Sequence, residues 1–581
     1  MITPGRRILG LSVLLFAALL ATYSNHFQNS FHFDDWHTVT GNPWIRNLGN
    51  LPRFFTDSRT MSVLPASQSY RPLLTASLAL DYRLGGGLKA LYFHASTFFW
   101  YVLLLVLMFF LFHSVMQRIE PRERNAYLAL FAAGWFALHP VSVETVNYVI
   151  QRADLYVALG VVAGMVLYIR FPGARKWGLY LVPVALAGLA KLTAVMFPAI
   201  LAVYIYLFEA ADGPTPPVAS WKKSRAWTAF RGAAPAFLLA AGNCLLTSAM
   251  TQKTFNAGGA SLYRYLITQP RVTLHYFFSF FLPIGLTADT DRPAFEGFWN
   301  EDAILGVVFL AVLVGGEVYL SRRRPLRPIA FGVWWFLLAL VPTAAMPLAE
   351  VENDHRMFAP FAGLVLSATW GAALLWDRFA GRLRLGRFQA ATPWAAAVCL
   401  LAACAAGAYH RNEVWRTEET LWLDVVQKSP RNGRGLMNYG LTRMSKGDYQ
   451  GALDYFTRAQ AYTPNYSILE VNLGIAFSGL KRVAEAESHF RRALELAPAD
   501  AVPKYYYARW LREQDRIPEC IRYLRESLQQ DPLHHDARAL LMEVYAQAGN
   551  WGEFGGLAEE TQRLFPGDTV AADILSWKKS R

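Results

Sequence analysis

Residues 393–440 read PWAAAVCLLAACAAGAYHRNEVWRTEETLWLDVVQKSPRNGRGLMNYG. The first part is an almost unbroken apolar run. The second mixes charged and apolar residues in the manner of a soluble helix. The change falls near residue 409 and divides the chain. Before it, apolar runs long enough to cross a bilayer recur again and again. After it they stop. The sequence therefore predicts an all-α protein with two parts. Residues 1–409 form a polytopic membrane helix bundle of about eleven spans, and residues 410–432 a connecting helix. Residues 433–581 form an α-solenoid.

The solenoid follows from a period. Pro430, Pro464, Pro498, Pro532 and Pro566 are spaced at 34 residues. Gly440, Gly474 and Ala508 keep the same register, as do Ala452, Ala486 and Cys520, and Phe456, Phe490 and Leu524. Small residues at helix crossings, an aromatic in the second helix and a closing Pro at this period define tetratricopeptide repeats. The expected repeats are 433–466, 467–500 and 501–534, with a degenerate capping repeat at 535–568. Trp415 and Trp422 are expected to pack on the first repeat. Such solenoids offer a concave surface to peptides or proteins.

Expected spans are 8–24, 89–116, 126–139, 155–170, 177–190, 192–208, 232–250, 302–320, 329–347, 358–376 and 393–409. The run 272–286 reads as an interfacial or re-entrant helix. Basic residues set the orientation. Arg6 and Arg7 keep the start of an uncleaved first helix in the cytoplasm. Arg118, Arg122, Arg124, Arg170, Lys222, Lys223, Arg322–Arg324 and Arg382–Arg387 then mark inner loops. The repeats fall on the outer, periplasmic side of an inner or plasma membrane. The formal net charge of +13 sits largely in these short loops, so it signals topology and not nucleic acid. Four scattered cysteines give no metal-ligand or disulfide framework.

The clusters of mixed acidic, basic and His residues all fall outside. Phe31-His32-Phe33-Asp34-Asp35-Trp36-His37 follows the first span and sets two carboxylates at the membrane surface. Adjacent to a bilayer, such groups are costly and point to function. Arg71, His139, Glu144, Arg152, Asp154, Lys191, Glu352, His355 and Arg356 occupy the other outer segments. Arg71, Arg152, Lys191, His355 and Arg356 suit a phosphate-linked substrate whose lipid tail lies in the bilayer. They would also stabilise a phosphate leaving group. Asp34 or Asp35 would take a proton from an attacking hydroxyl. His139, Glu144, Asp154 and Glu352 would support the site. Local pairing is the plainer reading of several: Arg152 with Asp154, or Glu144 with Arg152. The two aspartates are also a candidate oxygen pair for a divalent ion, but nearby Lys and Arg already serve a phosphate, so no metal is required.

The order of these motifs resembles the transmembrane and tetratricopeptide-repeat-containing O-mannosyltransferase family. The resemblance rests on Phe31 to Asp35 with Asn42-Pro43, on His139-Pro140-Val141 with Glu144, and on Arg152-Ala153-Asp154 and Lys191. It extends to Gln269 with Tyr276 and Pro283, and to Arg411-Asn412 with Trp415 and Leu421-Trp422. The form is similar to bacterial members. The resemblance implies a C-type (GT-C) glycosyltransferase fold, a polyprenyl-phosphate sugar donor with mannose as the sugar, and inverting transfer to Ser or Thr of exported proteins. It assigns the base to Asp34, or failing that to Asp35. The chain departs from the family at Leu192 and at Asp354-His355-Arg356-Met357-Phe358-Ala359-Pro360. Two other readings remain open: the same chemistry on a glycan or glycolipid with the repeats recruiting partners, and a non-enzymatic transporter or assembly scaffold.

Overall fold

The computed structural model describes residues 4–210, 224–256, 258–380, 391–565, 569, 570, 573 and 574. The expected inner-loop residues Lys222, Lys223 and Arg382–Arg387, and Pro566 of the repeat register, lie outside the described residues. The described chain is all-helical, and its contacts divide it into two compact units, Met1–Leu421 and Trp422–Arg581.

Nine helices in the first unit are long and apolar enough to cross a membrane, among the described residues. The chain is thus a multi-pass membrane protein. The expected runs at 126–139 and 177–190 appear as the shorter helices Arg124–Leu138 and Leu181–Ala190. After Leu181–Ala190 the backbone becomes extended at Lys191 (φ −159°, ψ 136°) and re-enters helix at Leu192. The run expected at 272–286 differs: its helix is Leu262–Phe281, with Pro270 inside. Ser261 accepts the Arg264 N–H and starts it early. Leu282 precedes Pro283, a position that disfavours α geometry and ends the helix.

Close approach of helices depends on glycines. A Cβ on Gly160 would collide with Pro183 and Ala187, and one on Gly164 with Val184. Arg152–Arg170 therefore lies tightly along Leu181–Ala190. Gly332 and Gly363 do the same for Arg327–Ala344 and Phe358–Phe379, each facing the other's carbonyl. These two contacts fix the ends that carry Asp154, Lys191 and His355.

The second unit is built from antiparallel helix pairs. They are Gly433–Met444 with Tyr449–Gln460, Ser467–Gly479 with Val483–Leu496, Ala501–Glu513 with Ile517–Gln530, and His535–Gln547 with Trp551–Leu564. Asn432, Asp448 and Asp500 cap helices by accepting the N–H of Gly435, Gly451 and Val502. The small and aromatic positions meet as the period requires. A Cβ on Gly440 would lie 2.6 Å from the Phe456 ring, and Phe456 is fully buried. Gly440→Ala should therefore overpack the first pair and cost about 1–3 kcal/mol. Gly552→Ala, where nothing lies within 4 Å, should be neutral. Thermal melting of the purified chain followed by circular dichroism separates the two.

Candidate active site

The first outer loop is rooted in a buried amide network. Asn29 donates to the Asn147 side-chain oxygen (2.5 Å) and to the Asn412 carbonyl (3.0 Å). Asn147 donates to the Asn412 side-chain oxygen at 2.6 Å, and Asn412 to the Thr22 carbonyl at 3.0 Å. His26 joins through Nδ1, 2.9 Å from Asn147. In this way segments far apart in sequence become one platform. Buried polar groups bonded to one another also favour a single arrangement.

His32 extends the platform. Its Nε2 lies 2.6 Å from the Trp415 carbonyl and its Nδ1 2.9 Å from Glu418. Phe33 follows with φ +48°, a left-handed conformation that costs a non-glycine residue about 1–2 kcal/mol. Its ring packs against Tyr148 (5.4 Å) and Trp415 (6.1 Å). The Trp415 ring and carbonyl are both engaged by this loop and its neighbour, through His32, Phe33 and Tyr148.

Both aspartates follow the turn at Phe33, yet their side chains meet different surroundings. Asp35 is 0% exposed. Its carboxylate accepts the His32 N–H (3.1 Å) and the Ile150 N–H (2.9 Å), and so ties the loop to residues 149–151. Burial pushes its pKa up to about 7. The Asp34 side chain is 62% exposed, with one carboxylate oxygen 3.4 Å from His37 Nε2. His37 is held in turn through Nδ1 by Ser62 (2.9 Å). The Asp34 N–H donates to the Tyr148 hydroxyl at 3.0 Å.

Cations face Asp34. Arg71 precedes the helix Pro72–Gly85, and its guanidinium lies within electrostatic reach of Asp34, Asp154 and Tyr148. Burial holds its pKa below the usual arginine value. Arg71 makes no side-chain hydrogen bond or ion pair among the described residues. Lys191 Nζ donates to Asp154 (2.7 Å) and to Gln151 (3.3 Å), and it neighbours both Arg71 and Arg356. Arg356 reaches the Tyr265 hydroxyl at 3.4 Å and lies a loose 4.0 Å from Glu350. His355 Nδ1 is 2.9 Å from Glu144, whose pKa is raised by burial and then by the Asp354 charge.

The structure thus brings together Asp34, Arg71, Glu144, Asp154, Lys191, His355 and Arg356. It places three expected members elsewhere. Arg152 is fully buried and donates to Asp81 (2.5 Å), Thr97 (2.9 Å) and the Phe93 carbonyl (2.6 Å). It pairs with neither Asp154, two residues along the same helix and so pointing in a different direction, nor Glu144, which lies on another helix and is engaged by His355. His139 is buried against Phe280, its Nε2 3.0 Å from the Phe280 carbonyl and its Nδ1 accepting the Val141 N–H. Burial lowers its pKa to about 4, so the ring is neutral near pH 7. Glu352 pairs with Arg292 at 2.6 Å.

Asp34 and Asp35 lie in different environments, one solvent-facing and one packed with amide donors on both oxygens. They do not form the twin oxygen pair that a divalent ion would use. Among the described residues no group of three or more His, Cys, Asp and Glu side chains is arranged to hold a metal.

Tyr148, His37 and Tyr265 were not among the expected site residues. Gln269 and Tyr276 gain a physical role: they hold the backbone of Val351 (3.0 Å) and Asn353 (2.9 and 2.7 Å), the loop that leads to His355 and Arg356.

Fold and site together describe a multi-pass membrane protein with an exposed carboxylate near half-buried cations, and a unit of helix pairs. A tetratricopeptide-repeat family model matches residues 438–501. The mouse protein O-mannosyl-transferase TMTC3 is 23% identical over 535 residues, covering 85% of this chain and 56% of that protein. The human protein O-mannosyl-transferase TMTC1 is 24% identical over 588 residues, covering 91% of this chain and 64% of that protein. The crystal structure of YrrB, a TPR protein with an unusual peptide-binding site, is 19% identical, covers 35% of this chain and 97% of its own, and has a TM-score of 0.23. The chain is thus similar over most of its length to proteins named protein O-mannosyl-transferases. It spans about half the length of the relatives it matches.

Asp35 gives a pH test. Its folded pKa of about 7 lies above its unfolded value of about 3.9, so folding favours the protonated form. That contribution is present below about pH 4 and is lost as the pH rises through about 7. Asp35→Asn should flatten the fall in apparent Tm between these values, measured by scanning fluorimetry in detergent. An unchanged slope would remove Asp35 as the source.

Proposed function

We propose that this protein is an integral-membrane glycosyltransferase. It moves a sugar, mannose by analogy with its relatives' names, from a polyprenyl phosphate to Ser or Thr hydroxyls of exported proteins. The observation that carries the reading is Arg71: a half-buried guanidinium, without a carboxylate bonded to it, across from an exposed aspartate. A half-buried cation without a bonded partner favours an anion, and arginine grips a phosphate with paired hydrogen bonds.

In this reading the donor phosphate sits against Arg71, Lys191 and Arg356, with its lipid tail in the bilayer. Asp34 accepts the proton from the acceptor hydroxyl. The hydroxyl oxygen bonds to the anomeric carbon as the carbon–oxygen bond to phosphate breaks. The electron pair leaves with the phosphate, where the cations stabilise the growing negative charge. One displacement inverts the sugar carbon. Asp154 holds Lys191, Glu144 holds His355, and Tyr148 and His37 hold Asp34. The site and the repeats face the outer side of the membrane, and the repeats present the acceptor.

Asp34→Asn should reduce transfer roughly 10²–10⁴-fold, the usual range for losing a general base. Glycopeptide mass spectrometry of cells carrying wild-type or variant protein reads this directly. A hexose mass on exported Ser/Thr peptides should vanish in the variant. An unchanged glycopeptide set would reject Asp34 as the base.

A further inference from the structure

Glu144 and His355 form a buried pair that the mechanism above uses only for support. His355 Nδ1 lies 2.9 Å from one Glu144 oxygen, inside the range over which a proton passes. Glu144 is 3% exposed, and its second oxygen meets no hydrogen-bond partner among the described residues. The charges around it are unbalanced. Asp354 and Asp289 lie within electrostatic reach, against one guanidinium, Arg411. A buried carboxylate without a bonded cation is costly as an anion, and two more acidic groups add to that cost. The protonated acid, which donates to Nδ1, is the favoured form.

His355 has the opposite surroundings. Lys191, Arg356 and Arg71 lie within electrostatic reach of its ring, and these are the cations read above as the grip on the donor phosphate. A fourth positive charge among them is unfavourable, so the ring holds a single proton. With Glu144 donating to Nδ1, that proton is on Nε2. Nε2 makes no hydrogen bond among the described residues, although the side chain is only 10% exposed. The backbone leading to the ring is fixed, since the Tyr276 hydroxyl bonds both the N–H and the carbonyl of Asn353.

We propose that His355 protonates the departing phosphate and that Glu144 supplies the replacement proton. As the bond from the anomeric carbon to the phosphate oxygen breaks, that oxygen keeps the electron pair. The Nε2 proton passes to a phosphate oxygen, and the Glu144 proton passes to Nδ1. The imidazole stays neutral throughout, and Glu144 ends as a carboxylate. The acceptor's proton is on Asp34. Once the products leave, Asp34 releases a proton to water and Glu144 takes one from it. A phosphate monoester takes its second proton with a pKa of about 6, so the transfer from a weakened carboxylic acid is near balance at neutral pH. The inference rests on the reading that a lipid phosphate is the leaving group, and it adds the residue pair that neutralises it.

The test is the pH profile of single-turnover transfer by the full chain in nanodiscs, with saturating polyprenyl-phosphate mannose and a Ser/Thr peptide. The wild-type rate should fall about tenfold per pH unit on the alkaline side, once Glu144 is ionised. Glu144→Gln should lower the neutral-pH rate roughly 10²–10⁴-fold, the usual range for acid–base catalysis, and remove that fall. His355→Gln should do the same. A merely structural Glu144 would lower the rate and leave the fall in place. A fall set by Lys191, which also faces His355, would survive Glu144→Gln. A second readout needs no transfer. The infrared band of a protonated carboxyl at neutral pH should be weaker in Glu144→Gln than in the wild type. Should Glu144→Gln not fold, the wild-type and His355→Gln profiles decide. No alkaline fall in the wild type, a fall unmoved in either variant, or an unchanged carboxyl band would overturn the inference. A chain that transfers sugar with an unmoved fall rejects the proton relay alone. One that shows the carboxyl band but transfers no sugar rejects the glycosyltransferase reading, and the relay with it.

Discussion

The acceptance by Asp35 of two backbone amides, one three residues away and one 115 residues away, is the constraint from which the site follows. His32 and Ile150 both donate to one buried carboxylate, and so the first outer loop has one position against residues 149–151. Asp34 is next in the chain and takes the opposite environment. The left-handed backbone at Phe33 is what turns the loop there. Packing of Phe33 on Tyr148 and Trp415 holds a conformation that is unfavourable alone. One aspartate thus organises the loop and its neighbour faces solvent. The amide network at Asn29, Asn147 and Asn412 keeps the whole arrangement seated on the helix ends beneath it.

A second layer of constraint comes from close helix packing. Glycine at 160 and 164 brings Leu181–Ala190 against Arg152–Arg170. That places Lys191, at the extended break, 2.7 Å from Asp154. Gly332 and Gly363 likewise position the segment that carries His355 and Arg356. The buried pair Arg152–Asp81 lies behind this surface. Removing one partner of such a pair strands a charge, which costs about 3–5 kcal/mol. It is structural support for the cations that face Asp34.

Much of this was legible in the sequence, for identifiable reasons. The 34-residue period leaves little freedom, since Gly440 and Phe456 only fit together in one register. Apolar length located most spans, and the break at Lys191 was visible because a lone lysine is unfavourable in hydrocarbon. What failed was direction. Asp34 and Asp35 are chemically identical neighbours, and only the tertiary partners, the His32 and Ile150 amides on Asp35, distinguish them. Arg152 and Asp154 are two residues apart and point apart, so Arg152 went to Asp81, 71 residues away in the chain. His139 read as polar but is buried on Phe280. Tyr148 carries no motif, and its contact with Asp34 spans 114 residues.

The central claim is a division of labour: Arg71 binds the donor phosphate and Asp34 activates the acceptor. The most direct measurement uses purified protein in nanodiscs with a polyprenyl-phosphate mannose donor, recording donor affinity and single-turnover transfer to a Ser/Thr peptide. The account predicts that Arg71→Gln weakens donor binding about tenfold or more, as loss of a charge-assisted phosphate contact should. It predicts that Asp34→Asn keeps donor affinity and abolishes transfer. Undiminished turnover in Asp34→Asn, or undiminished donor binding in Arg71→Gln, would contradict it.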